Sequence, residues 1–201
     1  MKLFYKPGAC SLSPHIIACE AGLAVETVKV DLAAKTLKDG SDYRAIAPKG
    51  QVPALLLDNG ALLTEGAVIV QYLADQAPAS GLLPPAGSFE RYRVQEWLNF
   101  IGTEIHKSYS PLFRPDTPED YKPIARANVA AKLAVLDQAL AGTPYLTGDS
   151  FTVADAYAYT VTRWAGFVGV DVATLPNLSA FMARVGARPG VRAALAAEGL
   201  A

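Results

Sequence analysis

Apolar positions in the first eighty residues alternate between strand-like and helical spacing. Lys2 to Tyr5 and Val25 to Val30 are short and rich in strand formers, and predict two strands. Between them, Leu12 to Gly22 predicts a helix, with Ile16, Cys19 and Leu23 near one face and Gly22 as its stop. Val52 to Leu57 and Ala61 to Thr64 are apolar runs joined by Asp58-Asn59-Gly60, the signature of a hairpin. Glu65 to Ala77 carries Val68, Ile69, Tyr72 and Leu73 at helical spacing. The predicted order is βαβ, an irregular stretch, then ββα.

Pro78, Gly81, Pro84, Pro85 and Gly87 then form a dense linker signal. Beyond it the periodicities are all helical. Val94, Leu98, Ile101 and Ile105 make one stripe, and Val129, Leu133, Leu136 and Leu140 another. A third helix starts after Gly148 and runs through Tyr159 and Trp164; shorter ones cover Pro176 to Val185 and Pro189 to Ala197. The pattern therefore predicts an α/β domain over 1–80 and an all-helical domain over 87–201.

Composition narrows the function classes. With 51% apolar and 18% charged residues the chain has ample core and little cause for disorder. A net charge of −1, with acids and bases mixed, argues against nucleic acid or an anionic membrane as partner and leaves a dimer plausible. The N-terminus lacks the apolar stretch of a secretory signal, and no apolar run reaches the roughly 18 residues of a spanning helix. Two cysteines are too few for a disulfide scaffold, so a reducing cytoplasm is the expected location.

Cys10 follows a strand and a Pro-Gly turn and stands just before a helix, where backbone N–H groups and the helix dipole favour a thiolate. Cys10-Ser11-Leu12-Ser13 has C-x-x-C spacing with serine as the fourth residue, so a mixed disulfide formed there has no internal resolving thiol. A small apolar residue at a tight turn is the alternative. Cys19, mid-helix, is expected to be an inert core residue, and His15 to be structural. Val52-Pro53 is either an ordinary trans proline at a strand edge or a cis bond that turns the Val52 backbone toward an extended peptide ligand. Thr64-Glu65-Gly66 opens a helix: its N–H groups suit a carboxylate and Glu65 an ammonium, a match for a zwitterionic amino-acid end. At 100° per residue Asn99, Thr103 and His106 share one polar face, with Lys107 adjacent and Glu104 turned away toward a possible neighbouring subunit. No dinucleotide, Walker or metal-binding motif occurs.

Taken in order, Tyr5-x-Pro7-Gly8-Ala9-Cys10-Ser11-x-Ser13-Pro14-His15, Ala47-Pro48-Lys49-Gly50-Gln51-Val52-Pro53-Ala54-Leu55, Leu63-Thr64-Glu65-Gly66 and Gly148-Asp149-Ser150-Phe151-Thr152-Val153-Ala154-Asp155 resemble the glutathione S-transferases over the full chain, and within them the bacterial beta class. The last stretch has its own physical sense as a capping box of Thr152 and Asp155. The resemblance implies an α/β thioredoxin-like N-terminal domain plus an all-α C-terminal domain, a homodimer, and glutathione as co-substrate with no metal or nucleotide. It implies a cis Val52-Pro53 pairing the cysteinyl backbone, Glu65 and Gly66 holding the γ-glutamyl end, and Lys35 the glycine carboxylate. Tyr5 and Gln51 join that tripeptide site. Cys10 lies against the glutathione sulfur with Ser11, His106 and Lys107 near it. Asn99, Thr103 and Glu104 border the site, and Tyr109, Phe113 and Trp164 shape a pocket for a small electrophile. Two departures stand out: Ala47 replaces a frequent Asn, and Gly66 replaces the Ser of many other classes. The implied reaction is transfer of the glutathione thiol to a mostly apolar electrophile. The alternatives are a thiol-disulfide oxidoreductase or peroxidase acting through Cys10, and a non-catalytic carrier of apolar ligands.

Overall fold

The computed structural model describes residues 1–201. The chain divides into two compact units, Met1–Leu83 together with Arg188–Ala201, and Pro84–Ala187. In the first, β1 (Lys2–Tyr5), α1 (Leu12–Glu20), β2 (Glu26–Lys29), β3 (Ala54–Leu56), β4 (Leu62–Thr64) and α2 (Gly66–Asp75) follow the predicted order. The sheet runs β2-β1-β3-β4, with β1 and β2 parallel and the other pairs antiparallel. The observed β3 begins only at Ala54, because Pro53 has no N–H to give to a ladder. Leu57 N–H donates to the Ala61 carbonyl at 2.8 Å across the Asn59-Gly60 turn, and Gly60 takes the left-handed φ of 84° which that turn requires. Phe4, Val30, Tyr43, Val52 and Ala54 make a buried cluster against the sheet.

The second unit is helical: α3 (Phe89–Phe100), a π-helical continuation Ile101–His106, α4 (Ser110–Phe113), α5 (Lys122–Ala139), α6 (Val153–Thr162) and α7 (Pro176–Gly186). Every residue of α6 is buried, as expected of its central run of small and apolar residues. Thr152 and Asp155 form the predicted capping box at its start. The stripes Val94, Leu98, Ile101, Ile105 and Val129, Leu133, Leu136 are all buried.

One boundary differs from expectation. The last helix, α8 (Pro189–Glu198), belongs to the first unit, so the helical unit ends at Ala187 rather than 201. Its buried face of Val191, Ala194, Leu195 and Glu198 packs mainly on α1. The approach is close. A Cβ on Gly190 would lie 2.8 Å from the Glu20 backbone nitrogen and 2.7 Å from its Cγ. Gly190→Ala is therefore expected to lower stability, because backbone cannot move aside as a side chain can. Against a gain of about 1 kcal/mol in helix propensity, overpacking of this kind costs about 1–3 kcal/mol or more, and the clash here is with main chain. A thermal melt showing an unchanged or raised midpoint would refute the tight contact.

Candidate active site

In the first unit the turn between β1 and α1 carries Cys10. Ala9 N–H donates to the Lys6 carbonyl, and Leu12 N–H to the Ala9 carbonyl, so the turn is closed by its own backbone. Ser11 is fully buried: its hydroxyl donates to the Lys6 carbonyl and accepts from the Lys6 N–H, each at 3.2 Å. That double bond to one backbone unit fastens the strand to the helix, and gives Ser11 a structural task where a role beside a reacting sulfur was expected. Cys10 is partly exposed, and its thiol donates to the Val52 carbonyl at 3.2 Å.

The Val52-Pro53 peptide is cis, the second of the two readings offered by the sequence. The backbone around it is fixed from behind. The buried Tyr43 hydroxyl, with burial pushing its pKa up to about 12, donates to the Gln51 carbonyl at 2.9 Å. Lys35, at a left-handed φ of 59°, donates through Nζ to the Gly50 carbonyl at 2.8 Å. Glu65 has a φ of 71°, unusual for a residue with a Cβ, and immediately precedes α2. Its carbonyl accepts from Val68 and Ile69, leaving the first N–H groups of α2, at Gly66 and Ala67, outside the helical ladder. Lys49 bridges this corner, donating to the Glu65 carboxylate at 2.5 Å and the Thr64 hydroxyl at 3.1 Å. Lys49 was not among the residues singled out from the sequence, although it lies inside the Pro48-to-Pro53 motif. Gln51, Val52, Pro53, Glu65, Gly66, Lys35, Cys10 and Tyr5 all fall in this one unit.

Behind the turn lies a buried polar group that sequence reasoning also passed over. Glu198 of α8 accepts from Gly8 N–H at 2.9 Å through one oxygen and meets His15 Nδ1 at 2.9 Å through the other. Burial works against a charged His15, but hydrogen bonds to Cys19 and Glu198 outweigh it, and the pKa is pushed up to about 9. An acid in step with Val191, Ala194 and Leu195 on the covered face of α8 was the available signal.

In the helical unit Asn99 and Thr103 are exposed and linked, Thr103 donating to the Asn99 carbonyl at 3.0 Å. His106 does not share their face. The π-helical segment turns less per residue than an α-helix, and the ring is carried onto α6 instead. There His106 Nδ1 meets the Tyr157 hydroxyl at 2.7 Å, and the ring stands edge-on to Trp164 at 4.8 Å. Burial, reinforced by Lys107, lowers its pKa to about 4. His106 is thus a neutral imidazole at neutral pH, not a cation. Glu104 is paired with Lys132 of α5 at 2.7 Å, so in this chain it has a partner of its own. A groove of about 320 Å³ in this unit is lined by Thr103, Glu104, Lys107, Tyr121 and Lys132 among others. Trp164 packs against Tyr109 at 5.5 Å and Phe113 at 5.8 Å. Of these three only Phe113 is well exposed; Tyr109 is wholly buried and serves as core rather than pocket lining.

A thiol-bearing turn, a cis-proline corner and a helix-start corner, all mounted on one β2-β1-β3-β4 sheet, define a thioredoxin-like module followed by helices. Models of the glutathione S-transferase N-terminal and C-terminal domains match residues 8–76 and 100–189. The chain is 55% identical over 200 residues to glutathione S-transferase GstA of Escherichia coli O157:H7, covering all of both. Among solved structures it resembles a sphingomonad glutathione S-transferase complexed with glutathione (49% identity, TM-score 0.96) and the bacterial beta-class enzyme of Sphingomonas chungbukensis (45%, 0.97), each covering 100% of both chains. The chain belongs to the glutathione S-transferase family.

Proposed function

We propose that this chain is a beta-class glutathione transferase that binds glutathione on its first unit and activates the thiol for attack on a small, mostly apolar electrophile. The observation that carries the reading is the set of backbone and charged groups gathered at one end of the sheet, where a ligand can engage them. Val52, Gly66 and Ala67 offer N–H groups, the Val52 carbonyl accepts only a weak thiol donor, and Glu65 and Lys35 supply opposite charges. An extended tripeptide with an ammonium-carboxylate head and a carboxylate tail matches that sequence of groups. Its cysteinyl N–H takes the Val52 carbonyl, which frees Cys10 S–H to donate toward the incoming sulfur. Lys49 gives up Glu65 to the ligand ammonium.

His106 enters as a neutral hydrogen-bond donor. When the Tyr157 hydroxyl is the donor in its bond to Nδ1, the ring hydrogen sits on Nε2 and can be given to the ligand. Lys107, exposed, is the cation beside it. The exposed Phe113, backed by Trp164, offers the electrophile an apolar surface. A homodimer fits the exposed Phe89 and Tyr92 on α3, which are large apolar residues with no cover in the single chain. No helix is long and apolar enough to cross a membrane, in keeping with a cytoplasmic location.

The test is calorimetric titration of glutathione against the protein and Glu65→Gln. Loss of one charge-assisted contact, about 1.5–3 kcal/mol, is expected to weaken binding by roughly 10–150-fold. Equal affinities would remove Glu65 from the site, and absence of glutathione binding would end the proposal. Cys10 also supports a second activity, thiol-disulfide exchange, since its sulfur is partly exposed beside the Val52 backbone. In that case Cys10→Ala abolishes disulfide reduction and spares conjugation.

A further inference from the structure

We propose that Lys49 is a specificity-determining residue of the glutathione site: an internal cation that holds the Glu65 carboxylate in the free protein and so limits how strongly the site selects a ligand carrying an ammonium group. This role rests on the one proposed above for Glu65, and adds to it the residue with which a ligand must compete. Lys49 Nζ donates to Glu65 Oε1 at 2.5 Å and to the Thr64 hydroxyl at 3.1 Å. The Lys49 and Glu65 side chains are both more than half exposed, so a ligand ammonium reaches the same carboxylate from solvent. The ammonium of Lys49 and that of a γ-glutamyl group are the same kind of donor, each with three N–H bonds, and they contend for the same oxygens.

The loop around Lys49 is held so that its side chain faces that corner. Gly50 N–H donates to the Ala47 carbonyl at 2.8 Å, and Gly50 takes a left-handed φ of 59°, which closes a turn over Pro48 and Lys49. Two other cations lie at this turn, and both have partners elsewhere. Lys35 donates to the Gly50 carbonyl at 2.8 Å, and Arg44 is paired with Asp42 at 3.0 Å. A Cβ on Gly50 would meet the Arg44 and Lys35 stems at 3.4 and 3.5 Å, so both stems pass beside the turn. Lys49 is the cation directed across to the start of α2. With Glu65 neutralised in this way, an anionic ligand that has no ammonium meets less repulsion than a bare carboxylate would give. A ligand that does carry an ammonium has to displace a cation already in place. Both effects narrow the difference between the two kinds of ligand. Once displaced, Lys49 still has the Thr64 hydroxyl, and its charge stays beside the site.

The probes are glutathione and glutaryl-cysteinylglycine, which lacks only the α-amino group and keeps both carboxylates. Calorimetric titration with reductant present gives the ratio of their dissociation constants for the parent, Lys49→Met, Glu65→Gln and the double variant. Lys49→Met keeps the aliphatic stem and is expected to raise the preference for glutathione by roughly 3–10-fold, the range that two exposed charge contacts supply together. Lys49→Arg keeps a cation and should stay near the parent. In the Glu65→Gln background there is no charge to contest, so adding Lys49→Met should change the ratio by less than about twofold. An unchanged or lowered preference in Lys49→Met, with Glu65→Gln still reducing it, would overturn the competition and leave the role of Glu65 standing. A parent preference that Glu65→Gln does not lower would remove Glu65 as the ammonium partner, and the role of Lys49 with it.

Discussion

Replacing Glu198 by alanine is expected to lower the melting temperature by roughly 6–20 °C, the equivalent of about 3–5 kcal/mol for a chain of this size. The carboxylate is wholly buried and closes two bonds, to Gly8 N–H and to His15. Its removal strands a buried cation and a backbone donor, and buried groups left without partners cost far more than the pair itself contributed. The linkage to pH follows from the same pair. His15 is raised from 6.5 to about 9 in the folded chain. The folded state therefore holds a proton that the unfolded state has shed between these values. The stabilisation is complete below pH 6.5 and is lost as pH rises through 9, by roughly 3 kcal/mol. Denaturant titrations at pH 6.5 and 9 should show that fall, and Glu198→Gln should flatten it. A variant that melts like the parent would show that α8 does not hold the turn.

Asp155→Ala should destabilise the helical unit by a similar amount, about 3–5 kcal/mol. Asp155 is completely buried and accepts from Leu146 N–H at 2.9 Å, Thr152 N–H at 2.8 Å and the Thr152 hydroxyl at 2.9 Å. Three donors would lose their acceptor in the interior, at about 1–3 kcal/mol each before relaxation. Asp155→Asn keeps the shape and one acceptor oxygen, and should cost less. Burial raises the Asp155 pKa to about 6 despite these bonds, so protonation below that value favours the folded state. His106 works in the opposite sense: lowered to about 4, it favours folding above pH 6.5 and opposes it as pH falls toward 4. Chemical denaturation of Asp155→Ala with an unchanged midpoint would mean that the capping box is incidental.

The front unit was legible because its signals are local. Strand-forming runs, an Asn-Gly turn and helix stops each act within a few residues of where they are written. The capping box at Thr152 was legible for the same reason. Placement of α8 was not, since an apolar stripe on Val191, Ala194 and Leu195 tells that a face is covered but not by what. His106 escaped because a steady 100° per residue was assumed through Ile101–His106, where the helix widens. The bonds of the Ser11 hydroxyl to the Lys6 backbone were not legible either, because nearness to a cysteine along the chain does not reveal a hydroxyl's partner.

The association of α8 with α1 has a consequence for how the protein is made. A nascent chain that has emerged only as far as residue 83 contains the whole sheet, yet it lacks the carboxylate that seats Gly8 and the helix that covers α1. The bonds that brace the sulfur-bearing turn from behind therefore form only once position 198 has been made, and a fragment cut at the linker would leave the side of α1 that faces α8 open to water.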